Sequence, residues 1–197
     1  MKQDAEMKNQ SEKILLAAFH CISSKGYANV SLRDIANEAG VVLSQLNYYY
    51  KNKEGLFTEV IKMMAQNYLR EVEQCLQKGD VPKDKISSLI KYFRGMLKNN
   101  PALFRMLYDL TGLALWSSSF KDLLCNLFKG LSDLIEKHIS HDITMKENLK
   151  GYSPKSIARM ILGAMLGTAI QVILDSEEEN LPEALNAVEI IFEESLA

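Results

Sequence analysis

Breakers are scarce in this chain, with four prolines and ten glycines in 197 residues. Proline deletes a backbone donor and glycine weakens a helix, so their rarity leaves long stretches free to be helical. Alternating strand patterns, internal repeats and low-complexity tracts are also missing. Cysteine is sparse: Cys21, Cys75 and Cys125 are far apart, with no CxxC pair. An odd number at such spacing excludes a disulfide framework and points to reduced thiols in the cytoplasm. His138 and His141 are three apart, a spacing that suits a metal. No third ligand stands nearby, so a solvated surface pair is the plainer reading and no metal is expected. There is no GxSxG, phosphate loop, HExxH or Cys/His nucleophile pair, so neither an enzyme nor a cofactor is expected. The start, "MKQDAEMKNQSEK", is too polar for a signal peptide. The most apolar run, "MILGAMLGTAIQVIL" (160–174), contains Thr168 and Gln171 and is short for a bilayer. A soluble cytoplasmic protein without a membrane partner is expected.

Hydrophobic residues make up 47% and charged residues 24%, enough for a sizeable core. The net charge of −2 is unevenly spread: residues 1–53 hold seven Lys or Arg against five Asp or Glu. From Asp175 to the end there are eight acidic residues and no basic one. Any anionic partner therefore meets the N-terminal part.

Periodicity predicts an all-α chain of about nine helices. The first, Ser11 to Ser24, carries Ile14, Leu15, Ala18, Phe19 and Ile22 on one stripe and stops at Gly26. The second starts at Ser31, with Asp34 at capping-box spacing, and ends at Gly40. The third covers Leu43 to Tyr50, and Glu54 starts a fourth that runs to about Lys78. Five more follow: Pro82 to Lys98, Pro101 to Leu115, Ser119 to Ile139, Pro154 to Asp175, and one opened by Pro182. Helix length and charge balance both change near Lys53, which divides the chain into domains at 1–53 and 54–197.

Helices two and three flank the turn "AGVV". Two short helices around a tight glycine turn match a helix-turn-helix, here at about 30–50, whose second helix enters the DNA major groove. Leu43, Leu46, Asn47 and Tyr50 fall on one face of that helix, which should pack inward. Ser44, Gln45, Tyr48 and Tyr49 fall on the other. Ser and Gln hydrogen-bond base edges, and tyrosine offers a hydroxyl to phosphate and a ring to thymine methyl. Lys53 and the start of the fourth helix add a site for a phosphate.

The stretch "ILLAAFHCISSKGYANVSLRDIANEAGVVLSQLNYYYKNKEGLFTEVI" resembles the N-terminal domain of the TetR family of bacterial transcriptional regulators. The resemblance covers about 48 residues, Ile14 to Ile61. It rests on "AAF…KGY" closing helix one, "SLRDIANEAGV" across helix two and its turn, and "LNYYYKNKEGLF" leading into helix four. Three positions depart from the family pattern: Val42 stands where a capping serine is usual, Asn47 where tyrosine is common, and Tyr50 where phenylalanine is. Taken with the face assignment, the resemblance implies a DNA-facing set of Ser31, Arg33, Leu43, Ser44, Gln45, Asn47, Tyr48, Tyr49 and Lys53.

The resemblance further implies a homodimer through the last two helices, at Gly163, Gly167, Gln171, Val188 and Phe192. It implies an effector pocket in the larger domain, and Tyr68, Phe93, Met96, Phe104, Tyr108, Trp116 and Phe120 are expected to line it for an apolar or aromatic molecule. Ordinary core is the alternative for each of these. The function implied is a repressor that holds a palindromic operator and leaves it when the effector binds. The competing reading is a helical ligand-binding or adaptor protein without operator binding.

Overall fold

The computed structural model describes residues 2–140, 151–175 and 183–194, the side chains of 2–8, 140 and 192–194 excepted. Among these there are nine α-helices, one π-helical turn and no strand. The helices are α1 (Lys2–Lys25), α2 (Leu32–Ala39), α3 (Leu43–Tyr49), α4 (Lys53–Leu76), α5 (Pro82–Asn99), α6 (Pro101–Ala114), α7 (Ser118–Ile135), α8 (Pro154–Leu174) and α9 (Ala184–Glu194). The π-helical turn, Glu136–Ser140, follows α7 directly.

The expected boundaries hold to within a residue or two for α2 to α6 and for α8. α1 begins at Lys2, nine residues before the expected start at Ser11. Residues 2–10 have no apolar face to betray a helix, but they contain no breaker and are mostly good helix formers, so the helix propagates backwards through them. The seventh helix was expected to stay α-helical to Ile139. Its last turn widens instead, Ile139 remains buried, and His138 Nε2 comes within 3.9 Å of Glu73. His141 and Pro182 lie outside the described residues. No cluster of three or more metal-ligating side chains occurs among the described ones.

Contacts divide the chain into two compact units that do not follow chain order. The first comprises Met1–Gln66 and Arg105–Leu124, the second Asn67–Phe104 and Cys125–Ala197. α4, α6 and α7 each continue from one unit into the other.

In the first unit Ile14, Ala18, Ile22, Ile35, Leu46, Leu56, Phe57 and Val60 are fully buried or nearly so. Tyr27 stacks on Phe57 at 4.7 Å, and Phe120 meets both rings edge-on at 5.8 and 5.5 Å. In the second unit α5 turns Ile86, Leu89, Ile90, Phe93 and Leu97 inward, the stripe read from its sequence. Phe93 meets Phe104 edge-to-face at 5.0 Å, and Arg94 ties α5 to α9 by donating to Asn186 at 2.6 Å. α8 is long and apolar enough by composition alone to cross a membrane, which the shorter run 160–174 did not indicate. One face of it, with Ile157, Ala158, Ile161, Met165 and Ala169, is buried within the unit.

Candidate nucleic-acid interface

α2 is short, and local chemistry holds both of its ends. The Ser31 hydroxyl accepts from the Asp34 N–H at 3.2 Å, and the Asp34 carboxylate accepts from the Ser31 N–H at 2.8 Å and from its hydroxyl. This is the complete capping box that the spacing predicted. These hydrogen bonds hold the Asp34 carboxyl below the usual carboxylate range. A lowered folded-state value means stability present at neutral pH and lost as pH falls through it. Asp34→Asn is therefore expected to melt lower than the parent at pH 7. The gap in Tm, followed by circular dichroism, should close below about pH 4; a gap that persists in acid would remove the ionised box from the account.

Gly40 ends α2 at φ +66°, in the left-handed region, with its N–H on the Ala36 and Asn37 carbonyls. A Cβ there would meet nothing within 4 Å. The glycine is therefore required by backbone conformation alone, and this turn sets the direction in which α3 leaves.

α3 is capped by Val42, whose side chain bonds nothing and is 66% exposed. The helix begins at Leu43, so Ser44 lies inside it and not at its cap. Val42→Ser is expected to stabilise the chain by about 1 kcal/mol by satisfying an orphan N–H. A raised midpoint in urea is the readout, and an unchanged one would show that the turn cannot place the hydroxyl.

The three consecutive tyrosines separate by role. Tyr50 is 9% exposed, and its hydroxyl is 2.8 Å from the Ser11 hydroxyl on α1. Burial pushes its phenol up, with the Ser11 contact opposing. Tyr48 is 74% exposed and meets the half-buried Tyr49 edge-on at 5.4 Å. Leu46 is fully buried, so Leu46 and Tyr50 anchor α3 while Ser44, Asn47 and Tyr48 are exposed and Gln45 and Tyr49 half-exposed. Asn47 was placed on the inward face but is exposed. At 100° per residue it lies on the rim of the Leu46–Tyr50 stripe, where a polar side chain turns to water.

Ser31 and Arg33 are exposed and Leu43 is half-buried. Lys53 sits at the start of α4 with its ammonium 4.2 Å over the Tyr27 ring. Burial pushes that ammonium down, with Asp109 opposing. Two supporting residues escaped the sequence reading. Asn52 caps α4 by accepting the Gly55 N–H at 2.7 Å, a signal visible in "NKEG". Asp109 of α6 accepts the Tyr27 N–H at 2.7 Å across 82 residues, and no local pattern announces that.

The residues expected to meet an effector fall in both compact units. Tyr108, Trp116 and Phe120 belong to the first unit, where Phe120 is core beneath Tyr27 and Phe57 and Trp116 is 91% exposed. Tyr68, Phe93, Met96 and Phe104 belong to the second, with Phe93 and Phe104 buried and Tyr68 and Met96 half-buried. Of the expected dimer residues, Gly163, Gly167 and Gln171 are exposed and Val188 is half-buried; the Phe192 side chain lies outside the described residues.

A small helix-turn-helix with an anchored inner face and a polar, aromatic outer face on its second helix defines a DNA-binding module. Residues 14–60 match the family model described as bacterial regulatory proteins, tetR family. The chain is 22% identical to the fatty acid metabolism regulator protein of Bacillus subtilis (strain 168), over 89% of this chain and 90% of that protein. Its fold is that of a TetR transcription regulator from Haloarcula marismortui ATCC 43049, with a TM-score of 0.83 at 19% identity, covering 96% of this chain and all of that one. It is also that of FadR from Bacillus subtilis in complex with stearoyl-CoA, with a TM-score of 0.70 at 21% identity, covering 91% and 96%. Residues 14–60 thus carry the helix-turn-helix DNA-binding segment of TetR-type regulators, and the fold of nearly the whole chain is that of such regulators.

Proposed function

We propose that the protein is a cytoplasmic homodimeric repressor that reads a palindromic operator through α3 and releases it when a small apolar-tailed molecule binds the C-terminal part. The observation that carries the reading is the division of α3 into buried Leu46 and Tyr50 and the outward set Ser44, Gln45, Asn47, Tyr48 and Tyr49. Ser31, Arg33, Leu43 and Lys53 are assigned supporting contacts to the DNA backbone. Lys53 would have to leave the Tyr27 ring to reach a phosphate. In functional terms the DNA-binding part is 1–53 and the responding part 54–197.

A single module reads too few base pairs, and two-fold pairing doubles the site. Met160, Gly163, Gly167, Gln171 and Leu174 recur every three or four residues along α8 and are all exposed. They form a stripe on which a symmetry mate can approach closely, and exposed Ile190 and Ile191 with half-buried Val188 extend it on α9. For the effector, the fatty acid regulator of Bacillus subtilis and the FadR structure holding stearoyl-CoA favour an acyl compound. Of the residues expected to meet it, Tyr68 and Met96 keep partly accessible side chains, and Phe93 and Phe104 are buried. α6 carries Phe104 in one unit and Asp109 in the other, so a shift of this helix would be felt at the Tyr27 backbone.

A footprint on the promoter region of its own gene tests the reading. A palindromic fragment is expected to bind at least about a thousandfold more tightly than random DNA at the same salt. Equal affinity for both would leave a helical ligand-binding protein as the better description.

A further inference from the structure

A groove of about 540 Å³ lies on the second unit between α7 and the N-terminal part of α8. That is within the roughly 300–1,000 Å³ of ordinary small-molecule sites. Phe128, Leu162 and Leu166 make its wall apolar, while Lys129, Lys155 and Arg159 make it basic. Lys155 is held by Asp133 at 3.1 Å. Lys129 and Arg159 have no acidic partner among the described residues. Clustered cations without counter-charges repel one another, and an anion placed among them relieves that repulsion. Ser132, 2% exposed, adds a hydroxyl-bearing residue to the lining.

We infer that this groove binds an amphiphile with an anionic head, the head held by Lys129 and Arg159 and the tail lying on Phe128, Leu162 and Leu166. The inference rests on the proposed response to a small molecule and gives that molecule a charge and a place. It departs from the uncharged set expected from the sequence, Tyr68 to Phe120, none of whose side chains is a cation that could hold a head group. A second copy of the chain is the competing occupant, because Gly163 borders both the groove and the exposed stripe of α8. A two-fold mate would bring its own unpaired Lys129 and Arg159 to such a contact, and like charges do not complement.

Cys125 lies on the groove and is exposed, whereas Cys21 and Cys75 are buried, so a maleimide reports on the groove. The full chain is labelled with laurate, lauroyl-CoA, coenzyme A or dodecanol present below micelle formation. Laurate or lauroyl-CoA is expected to slow labelling of Cys125 by at least about tenfold, and Lys129→Glu/Arg159→Glu, shown folded by circular dichroism, to lose that protection. Protection by laurate assigns the head as carboxylate, and protection by lauroyl-CoA alone assigns it to the phosphates. Equal protection by dodecanol, equal protection by coenzyme A without a tail, or undiminished protection in the double variant would overturn the inference. So would a Cys125 that is unreactive without ligand and labels only on dilution to monomer, which would give the groove to a second copy. Protection without release of the operator upholds the site and sinks the ligand-released repressor. Release by some other compound with Cys125 still reactive does the reverse.

Discussion

Gln45→Ala combined with Tyr48→Ala is expected to weaken binding to the footprinted operator by on the order of a hundredfold or more, while binding to random DNA changes much less. Each good contact to a base edge contributes about 1–3 kcal/mol of discrimination, whereas phosphate contacts attract any sequence. Tyr48 is 74% exposed, so removing it should leave the melting temperature nearly unchanged. Gln45 sits one residue before the buried Leu46 on the accessible side of α3. Competition mobility shifts at fixed salt, with circular dichroism and sedimentation as controls on fold and assembly, decide the matter. Operator binding that survives in a folded double variant would mean that another surface reads the DNA.

Tyr50→Ala is expected to cost about 3–5 kcal/mol, as removal of a buried aromatic ring does. Against a total of roughly 5–15 kcal/mol for a domain, that is enough to unfold much of the N-terminal unit at 37 °C. Tyr50→Phe keeps the ring and removes only the contact to Ser11, so about 0.5–1.5 kcal/mol should be lost. Urea melts of the two variants separate the contributions. DNA binding should collapse in the first and persist in the second, because the ring positions α3 and the hydroxyl only pins it to α1. Comparable melts for both variants would show that the ring is not the anchor.

Much of this site was legible because its signals are local. Ser31 and Asp34 are three residues apart, Gly40 follows the last apolar position of α2, and the alternation of Leu43, Leu46 and Tyr50 is set by the helical period. Val42 could be recognised as a poor cap from its chemistry alone, and the structure leaves it uncapped. What could not be read locally has a different origin. Asn47 lies at the margin of two faces, where a few degrees of helix rotation decide exposure. Phe120 and Trp116 carry no mark in the sequence that separates one buried among Tyr27 and Phe57 from one that is 91% exposed.

The groove on α7 and α8 belongs to the same class of hidden feature. Lys129 and Arg159 are thirty residues apart and read as ordinary solvated charges, and Ser132 as an ordinary helical serine. Only the side-by-side placement of two helices sets Lys129 and Arg159 above an apolar wall, without an acidic partner among the described residues.

What the amino-acid order determined by itself is the all-helical class, the turn chemistry and the two faces of α3, since periodicity, capping and positive φ act within a few residues. The tertiary structure alone decided which aromatics are core, that Asp109 of α6 holds the backbone of Tyr27, and that Tyr50 finds Ser11. Those contacts join residues 39 to 82 positions apart, and they form only when separate helices bury their apolar stripes against one another.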